Sequence, residues 1–135
     1  LEVDATTVYP GISMPGRSER PMIDILARRS GCFPRGEPVA IISAKWSLRH
    51  DRINDITNEC PIYKAAALRS RTPLKYYVVT NEFDPARLHK ILSDTCVDGV
   101  VHVHKPAVVA VCRLDGRLER LLDLSELFPL TNMWA

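Results

Sequence analysis

Apolar residues recur along this chain in short runs separated by polar and turn-forming residues. Runs of this length predict strands at about 3–9, 22–28, 38–45, 74–80, 97–104 and 107–113. Residues 30–36 are rich in Gly, Ser and Pro, which predicts a hairpin between the second and third of these strands.

Helical periodicity appears between the runs. Ile53, Ile56, Tyr63 and Ala67 are spaced as on one face of a helix over about 50–70, where Pro61 predicts a kink or a break. Residues 84–92 begin with Asp-Pro, a good N-cap followed by proline at the first helical position, and 118–128 is predicted to be helical. The predicted fold class is therefore α/β, with a mixed central sheet flanked by helices in a single domain of residues 1–135.

Length and composition agree with a single globular domain. A chain of 135 residues with 46% hydrophobic content is expected to bury roughly two-thirds of its unfolded surface. No apolar run approaches the roughly 20 residues of a membrane helix, so no membrane partner is expected. The chain begins at Leu1 rather than Met, which predicts processing or a piece of a longer protein.

The four cysteines are far apart in sequence and form no C-x-x-C pair, which argues against a zinc ribbon or a redox motif. We expect reduced, mostly buried thiols in a cytosolic protein. His102 and His104 lie on one face of a predicted strand, but no third ligand has suitable spacing. A structural or surface role is therefore expected for both histidines.

Positive charge is concentrated in one part of the chain. The net charge is only +2, but residues 17–52 carry eight basic and four acidic residues, a local net of +4 that leaves −2 for the rest. A polyanion such as DNA could bind there. A charge run alone is more often a solvated face, so this observation needs support from the chemistry of individual residues.

An acid, a lysine and a second acid follow one another on successive predicted elements. Asp24 lies in the strand at 22–28, Lys45 ends the strand at 38–45, and Glu59 lies on the next helix. Carboxylates that hold a divalent cation against a phosphodiester supply much of the catalysis of its hydrolysis. We predict Asp24 and Glu59, with the Ala44 carbonyl, as Mg²⁺ ligands, and Lys45 as the group that orients the attacking water. Each residue alone is more often a surface ion pair, but the ordered triplet favours catalysis.

Arg49, Asp51 and Arg52 follow the lysine directly. One arginine fork satisfies O6 and N7 of a guanine, and a carboxylate accepts from the N4 amino group of cytosine, so this set suits adjacent G·C pairs. Two adjacent G·C pairs can form half of a palindromic site, and a palindrome read in halves implies two subunits related by a two-fold axis. The alternative is a local helix salt-bridge cluster, which would be preferred without the lysine and glutamate.

Residues 43–52, with Glu59 fourteen positions after Lys45, resemble the type II restriction endonucleases that recognise a CCGG core. In this branch of the PD-(D/E)xK nuclease superfamily, Ser or Cys stands two residues before the lysine and a glutamate on the next helix takes over. Ser43 and Glu59 match that pattern, and residues 49–52 match its R-x-D-R reader. Segments 77–82 and 98–102 are similar to later core strands of these enzymes.

The resemblance implies a restriction-endonuclease-like fold and a Mg²⁺-dependent, sequence-specific endonuclease that cuts duplex DNA at a palindromic CCGG core and leaves 5′-phosphates. It also implies a homodimer or homotetramer in the cytoplasm of a prokaryote. The alternatives are a structure-specific or repair nuclease of the same fold and a catalytically inactive DNA-binding module. Members of this branch are longer, so the chain is expected to be the core of a larger enzyme.

Two questions stay open within this hypothesis. Asp4 competes with Asp24 as the metal ligand, because the family often has a longer gap before the lysine, whereas the Pro21 context and the adjacent hairpin favour Asp24, which we prefer. Trp46 could contact DNA, but a tryptophan beside a strand end is more often in the core. Tyr76 and Tyr77 are expected to pack against the sheet.

Overall fold

The computed structural model describes residues 2–9, 22–30, 36–112 and 118–127. These ranges contain a six-stranded mixed sheet and three α-helices, which confirms the predicted α/β class. The elements, with a short 3₁₀ turn at Leu118–Arg120, are β1 (Glu2–Thr7), β2 (Ile23–Arg28), β3 (Pro38–Ala44), α1 (His50–Arg69), β4 (Lys75–Thr80), α2 (Pro85–Leu92), β5 (Gly99–His102), α3 (Lys105–Val111) and β6 (Leu121–Asp123).

The strands lie in the sheet in the order of the sequence, from β1 at one edge to β6 at the other. β1, β2 and β3 pair antiparallel, whereas β3, β4, β5 and β6 pair parallel. The antiparallel register, with Ile25 opposite Ile42, confirms the hairpin between β2 and β3, although residues 31–35 of its turn lie outside the described ranges. Each parallel pair needs a crossover, and α1, α2 and α3 supply the three crossovers.

The main hydrophobic core lies between the sheet and the helices. Because side chains alternate along a strand, Leu26, Ile41 and Tyr76 share this face, and they pack with buried residues of all three helices. A smaller cluster that includes Ile42 and Tyr77 occupies the opposite face. Both tyrosines are buried, as expected, although they face opposite sides of the sheet.

Helix α1 confirms the periodicity read from the sequence. Ile53, Ile56, Cys60 and Tyr63 recur every three or four residues and are all buried against the sheet. The helix continues through Pro61, so the predicted break does not occur. Pro61 lies on the exposed face of the helix, so the backbone hydrogen bond that it cannot donate is lost on the solvent side. The opposite face of the helix stays buried.

Two predicted elements in the last third of the chain are wrong. Residues 107–111 of the predicted strand belong to α3, and the predicted helix at 118–128 contains β6, with a helical turn only at 124–127. β5 and β6 are parallel neighbours, so the chain between them has to cross over one face of the sheet. The apolar run at 107–111 lies in this connection and forms a helix that packs on that face. Pro106 in the first helical turn favours that outcome despite the β-branched valines that follow.

The expectation of reduced thiols is wrong for two of the cysteines. Cys60 on α1 and Cys96 before β5 form a disulfide, whereas Cys112 is a buried free thiol and Cys32 lies outside the described residues. Disulfides are rare in reducing cytosol, so this disulfide does not support the expected cytoplasmic location. That location stays a prediction. Among the described helices, none has the length and apolar character needed to cross a bilayer.

Candidate functional site

The carboxyl ends of the parallel strands lie side by side and form the carboxyl-end edge of the sheet, which is distinct from the edge strands β1 and β6. The loops that follow these strands are hydrogen-bonded to one another. The Lys45 amide donates to the Val79 carbonyl at 2.8 Å, and the Asn81 amide donates to the Trp46 carbonyl at 3.1 Å. Ligand sites in α/β sheets form outside this edge, because strands end there and helices begin. Lys45 and the predicted reader residues follow β3 at this position.

Asp24 reaches the same edge because β2 runs antiparallel to β3. Ile25 pairs with Ile42, so Asp24 at the start of β2 stands beside Ser43 near the end of β3. Oδ2 of Asp24 accepts a hydrogen bond from the Ala44 amide at 2.8 Å. The Asp24 side chain is exposed, and the backbone contact holds its carboxylate at the strand end next to Lys45.

The pKa of the buried Tyr76 hydroxyl is influenced by three residues that the sequence analysis singled out, Ser43, Asp24 and Glu59. Burial raises the pKa of Tyr76 well above that of an ordinary tyrosine, and a hydrogen bond with Ser43 opposes part of this shift. The negative charges of Glu59, Tyr63 and Asp24 raise the pKa further. A carboxylate from β2 and another from α1 therefore lie close enough to one buried phenol to act on its ionisation. This phenol stays protonated at any physiological pH.

A small cavity opens along the segment that joins β3 to α1. Its volume is about 140 Å³, and its charged lining residues are Lys45, Arg49 and Arg52. Lys45 is half-buried, whereas both arginines are exposed. The cavity adjoins the N-terminus of α1, where unpaired backbone amides and the helix dipole add positive potential. Its electrostatic character suits a phosphate.

The predicted reader lies at the N-terminus of α1. Arg49 is the N-cap residue, and Nε of Arg49 and of Arg52 lie 3.9 and 4.0 Å from the two oxygens of Asp51. The three side chains are 46–67% exposed, and contacts of this length in water contribute little to stability. Both guanidinium groups nevertheless lie near Asp51, on the same side of the helix end.

Asp4 is placed differently from Asp24. It stands opposite Leu26, further along β2, and its Oδ2 accepts from Nε of Arg28 at 2.9 Å. The Arg28 side chain is only 8% exposed, so Asp4 neutralises a buried charge. Asp24, and not Asp4, lies at the end of β3 next to Lys45.

The acidic residues here suit Mg²⁺ better than Zn²⁺, because Zn²⁺ is usually bound by three or four protein side chains. Among the described residues, no group of three or more His, Cys, Asp and Glu side chains could hold a metal ion, which argues against a zinc site there. Mg²⁺ is commonly bound by one or two carboxylates and keeps several of its waters. Asp24 and Glu59, which both act on the Tyr76 hydroxyl, are the carboxylates that could hold it.

Glu82 is a site residue that the sequence analysis missed. It is buried after β4, and its carboxylate accepts from the Leu48 amide at 3.0 Å, the Phe83 amide at 3.1 Å and Nη1 of Arg87 at 3.0 Å. Burial alone would raise the pKa of Glu82, but the hydrogen bonds from Arg87 and from the backbone outweigh it and lower the pKa. Glu82 therefore ties the segment between Lys45 and Arg49 to the adjacent strand. The polar run at 80–82 directly after an apolar strand was the available signal.

His102 has a structural role, as the sequence analysis expected. The ring is fully buried, its Nδ1 accepts from the His104 amide at 2.9 Å, and its Nε2 donates to the Glu82 carbonyl at 2.7 Å. Both ring nitrogens are occupied, so His102 supports the Glu82 loop and is not placed to bind a metal.

Trp46 contradicts the expectation that it belongs to the core. Its residue surface is 73% exposed directly after Lys45. The buried apolar run of β3 ends before this position, at Ser43, and only the fold shows that no element among the described residues covers the indole.

No protein family, curated protein or solved structure that was compared with this chain matches it.

Proposed function

We propose that this protein is a Mg²⁺-dependent endonuclease that cuts duplex DNA at a palindromic site with a CCGG core and leaves 5′-phosphates. The observation that carries the proposal is that the Asp24 carboxylate is held by the amide of Ala44, a lining residue of the cationic cavity, while Asp24 and Glu59 both raise the pKa of the Tyr76 hydroxyl. Two acids and a cation-lined cavity at one sheet edge are the parts that phosphodiester hydrolysis requires.

The proposed roles follow from where each group lies. Held by Asp24 and Glu59, Mg²⁺ would offset charge on the phosphate and make a bound water more acidic. Lys45 is half-buried in the cavity and pairs with a phosphate oxygen or orients the attacking water. Water attacks phosphorus, the bond to the 3′-oxygen breaks, and the leaving oxygen takes a proton, so the phosphate stays on the 5′ end.

Tyr76 has a supporting role in this scheme. The phenol is neutral at physiological pH, and burial and the nearby carboxylates raise its pKa further, so it adds no third negative charge where a phosphate has to approach. Its hydrogen bond with Ser43 fixes the strand end from which Lys45 projects. We do not assign it a proton-transfer step.

The reader is proposed to be Arg49, Asp51 and Arg52. Each arginine fork suits O6 and N7 of a guanine, and the Asp51 carboxylate suits the N4 amino group of a cytosine. Their position on the first turn of α1, beside the cationic cavity, would bring base recognition close to the scissile phosphate. A palindromic site read in halves implies a homodimer or a homotetramer.

The resemblance of residues 43–59 to the CCGG-recognising restriction endonucleases adds the rest of the proposal. It includes a restriction-endonuclease-like fold, membership of the PD-(D/E)xK superfamily and a place in the cytoplasm of a prokaryote as part of a restriction-modification system. The six-stranded mixed sheet with helical crossovers is compatible with such a fold.

Plasmid cleavage tests the proposal directly. The protein is incubated with a plasmid that contains several CCGG sites and with a matched plasmid in which each site carries one base change, in Mg²⁺ or in EDTA. Discrete fragments from the first plasmid alone, only in Mg²⁺ and with ends that a ligase rejoins, are expected. A smear from both plasmids would indicate a nuclease without this specificity, and a mobility shift without cleavage would indicate a binding module. The Lys45→Ala protein, purified in the same way, controls for a contaminating nuclease.

A further inference from the structure

Trp46 presents its indole to solvent from a backbone that is held by hydrogen bonds. Its carbonyl accepts from the Asn81 amide at 3.1 Å and from the Thr80 hydroxyl at 3.3 Å, and the neighbouring Lys45 amide donates to Val79 at 2.8 Å. The backbone that carries the ring is therefore fixed to β4. The 73% exposure of Trp46 belongs to a side chain on a fixed backbone, next to a strand of the sheet.

The surroundings of the indole indicate what would cover it. Trp46 lines the same 140 Å³ cavity as Lys45, Arg49 and Arg52, together with Ala44 and Ser47. This volume is well below the roughly 300 Å³ of a pocket that encloses a small molecule, so a fitting partner extends beyond it. A flat aromatic ring among three cations matches a polyanion that also has flat rings and apolar sugar faces, and nucleic acid has both.

We propose that Trp46 is a DNA-contact residue, whose indole packs against a base or sugar next to the phosphate held by Lys45. The inference rests on the proposed nuclease function and extends it. The alanine variant is expected to lose affinity while the chemical step is unchanged, because the indole lies beside the cationic residues and carries no group that acts on the scissile bond. Nothing else in the proposed mechanism requires a large aromatic residue at this position.

Intrinsic fluorescence gives a direct readout, because the chain contains only two tryptophans, Trp46 and Trp134. In the Trp134→Phe protein, Trp46 is the sole tryptophan. A CCGG duplex is titrated in Ca²⁺ while the anisotropy of a label on the DNA reports binding. Quenched Trp46 emission and protection from iodide, in step with the anisotropy, are expected. Unchanged emission during a clear rise in anisotropy would overturn the Trp46 contact and leave the nuclease proposal standing.

Two further outcomes are distinguishable in the same titration. No rise in anisotropy at any duplex concentration would overturn the nuclease proposal and this inference with it. Emission that shifts with protein concentration alone, without DNA, would show that a second copy of the chain covers the indole, which also overturns the inference.

Variants separate a DNA contact from a structural role. Trp46→Ala should weaken duplex binding and raise KM roughly tenfold, with kcat at saturating DNA unchanged, and Trp46→Phe should restore most of the affinity. Leu68→Ala is the matched control, because Leu68 is 75% exposed on the last turn of α1, at the opposite end of the helix from the cavity. Equal affinity of Trp46→Ala, Leu68→Ala and the parent protein would overturn the inference.

Discussion

The Leu48 amide donates a hydrogen bond to Oε1 of Glu82 at 3.0 Å, which joins the segment after β3 to the loop after β4. Leu48 is fully buried, and the next residue, Arg49, is the N-cap of α1. One buried carboxylate therefore fixes the distance between the sheet edge that carries Lys45 and the helix end that carries the proposed reader. Glu82 is a positioning residue in this arrangement. Its carboxylate accepts hydrogen bonds from Leu48, Phe83 and Arg87, and Glu82 is not a lining residue of the cationic cavity.

The first prediction concerns Glu82→Gln. Its depressed pKa contributes stability that is fully present above the unfolded-state pKa of about 4.3 and is lost as pH falls through the lower folded-state pKa. The midpoint temperature of the parent protein should therefore exceed that of Glu82→Gln at neutral pH, and the gap should close at pH values below about 4. Thermal unfolding followed by circular dichroism between pH 3 and pH 7 measures this. A gap that is independent of pH would contradict it.

The second prediction concerns the metal ligands. Asp24→Asn and Glu59→Gln should each abolish Mg²⁺-dependent cleavage with little change in fold, because each removes a carboxylate that acts at the Tyr76 hydroxyl. Cleavage of a CCGG duplex and far-ultraviolet circular dichroism are the measurements. If either variant cuts at the parental rate, that carboxylate is not a metal ligand.

Asp4→Asn is the control that also decides between the two aspartates. It removes the negative partner of the buried Arg28 guanidinium, so it should cost about 1–3 kcal/mol of the free energy of unfolding. Its cleavage rate, measured where the protein is folded, should stay near the parental value. Loss of cleavage with unchanged stability would transfer the metal-binding role to Asp4.

The third prediction separates reading from cutting. Arg49→Ala and Arg52→Ala should each cost about 1–3 kcal/mol of discrimination at one base pair, and Lys at either position should restore it only in part, because an ammonium group lacks the planar fork. Binding in Ca²⁺ to CCGG and to its single-base variants gives the discrimination. Equal affinity of the parent protein for all these duplexes would reduce the cluster to the weak ion pairs seen around Asp51.

The fourth prediction concerns the disulfide. Cys60 and Cys96 are 36 positions apart, and a bridge over a loop of this length is expected to stabilise the fold by about 2–4 kcal/mol, largely by restricting the unfolded chain. Urea unfolding with and without a reductant should show a matching difference in the free energy of unfolding. The Cys60→Ser/Cys96→Ser protein should unfold identically in both conditions. If reduction leaves the parent protein unaffected, the two thiols are not bridged.

Local patterns in the sequence were sufficient for most of the elements. The spacing of Ile53, Ile56 and Tyr63 predicted α1, and the Asp84-Pro85 pair predicted the start of α2, where Oδ1 of Asp84 accepts from the Ala86 amide at 2.9 Å. These features are local, because periodicity and capping depend on residues within one or two helical turns. The same holds for the β2–β3 hairpin.

The last third of the chain depended on the sheet instead. Valine-rich residues 107–111 have the composition of a strand, yet they form α3 because β6 occupies the place beside β5 and the parallel pairing requires a crossover. No window of sequence contains that competition. The Cys60–Cys96 pairing is of the same kind, since it depends on how α1 packs against the loop before β5.

The sequence by itself determined the residue types of the candidate site, and the tertiary structure decided which of them meet. Asp24, Lys45 and Glu59 could be singled out because their order and chemistry are visible along the chain. The common influence on the pKa of Tyr76, the pairing of Asp4 with Arg28, the contact from Glu82 to Leu48 and the exposure of Trp46 could not. These features depend on strand register and on which surfaces other elements cover, and both are set by contacts between residues far apart in sequence.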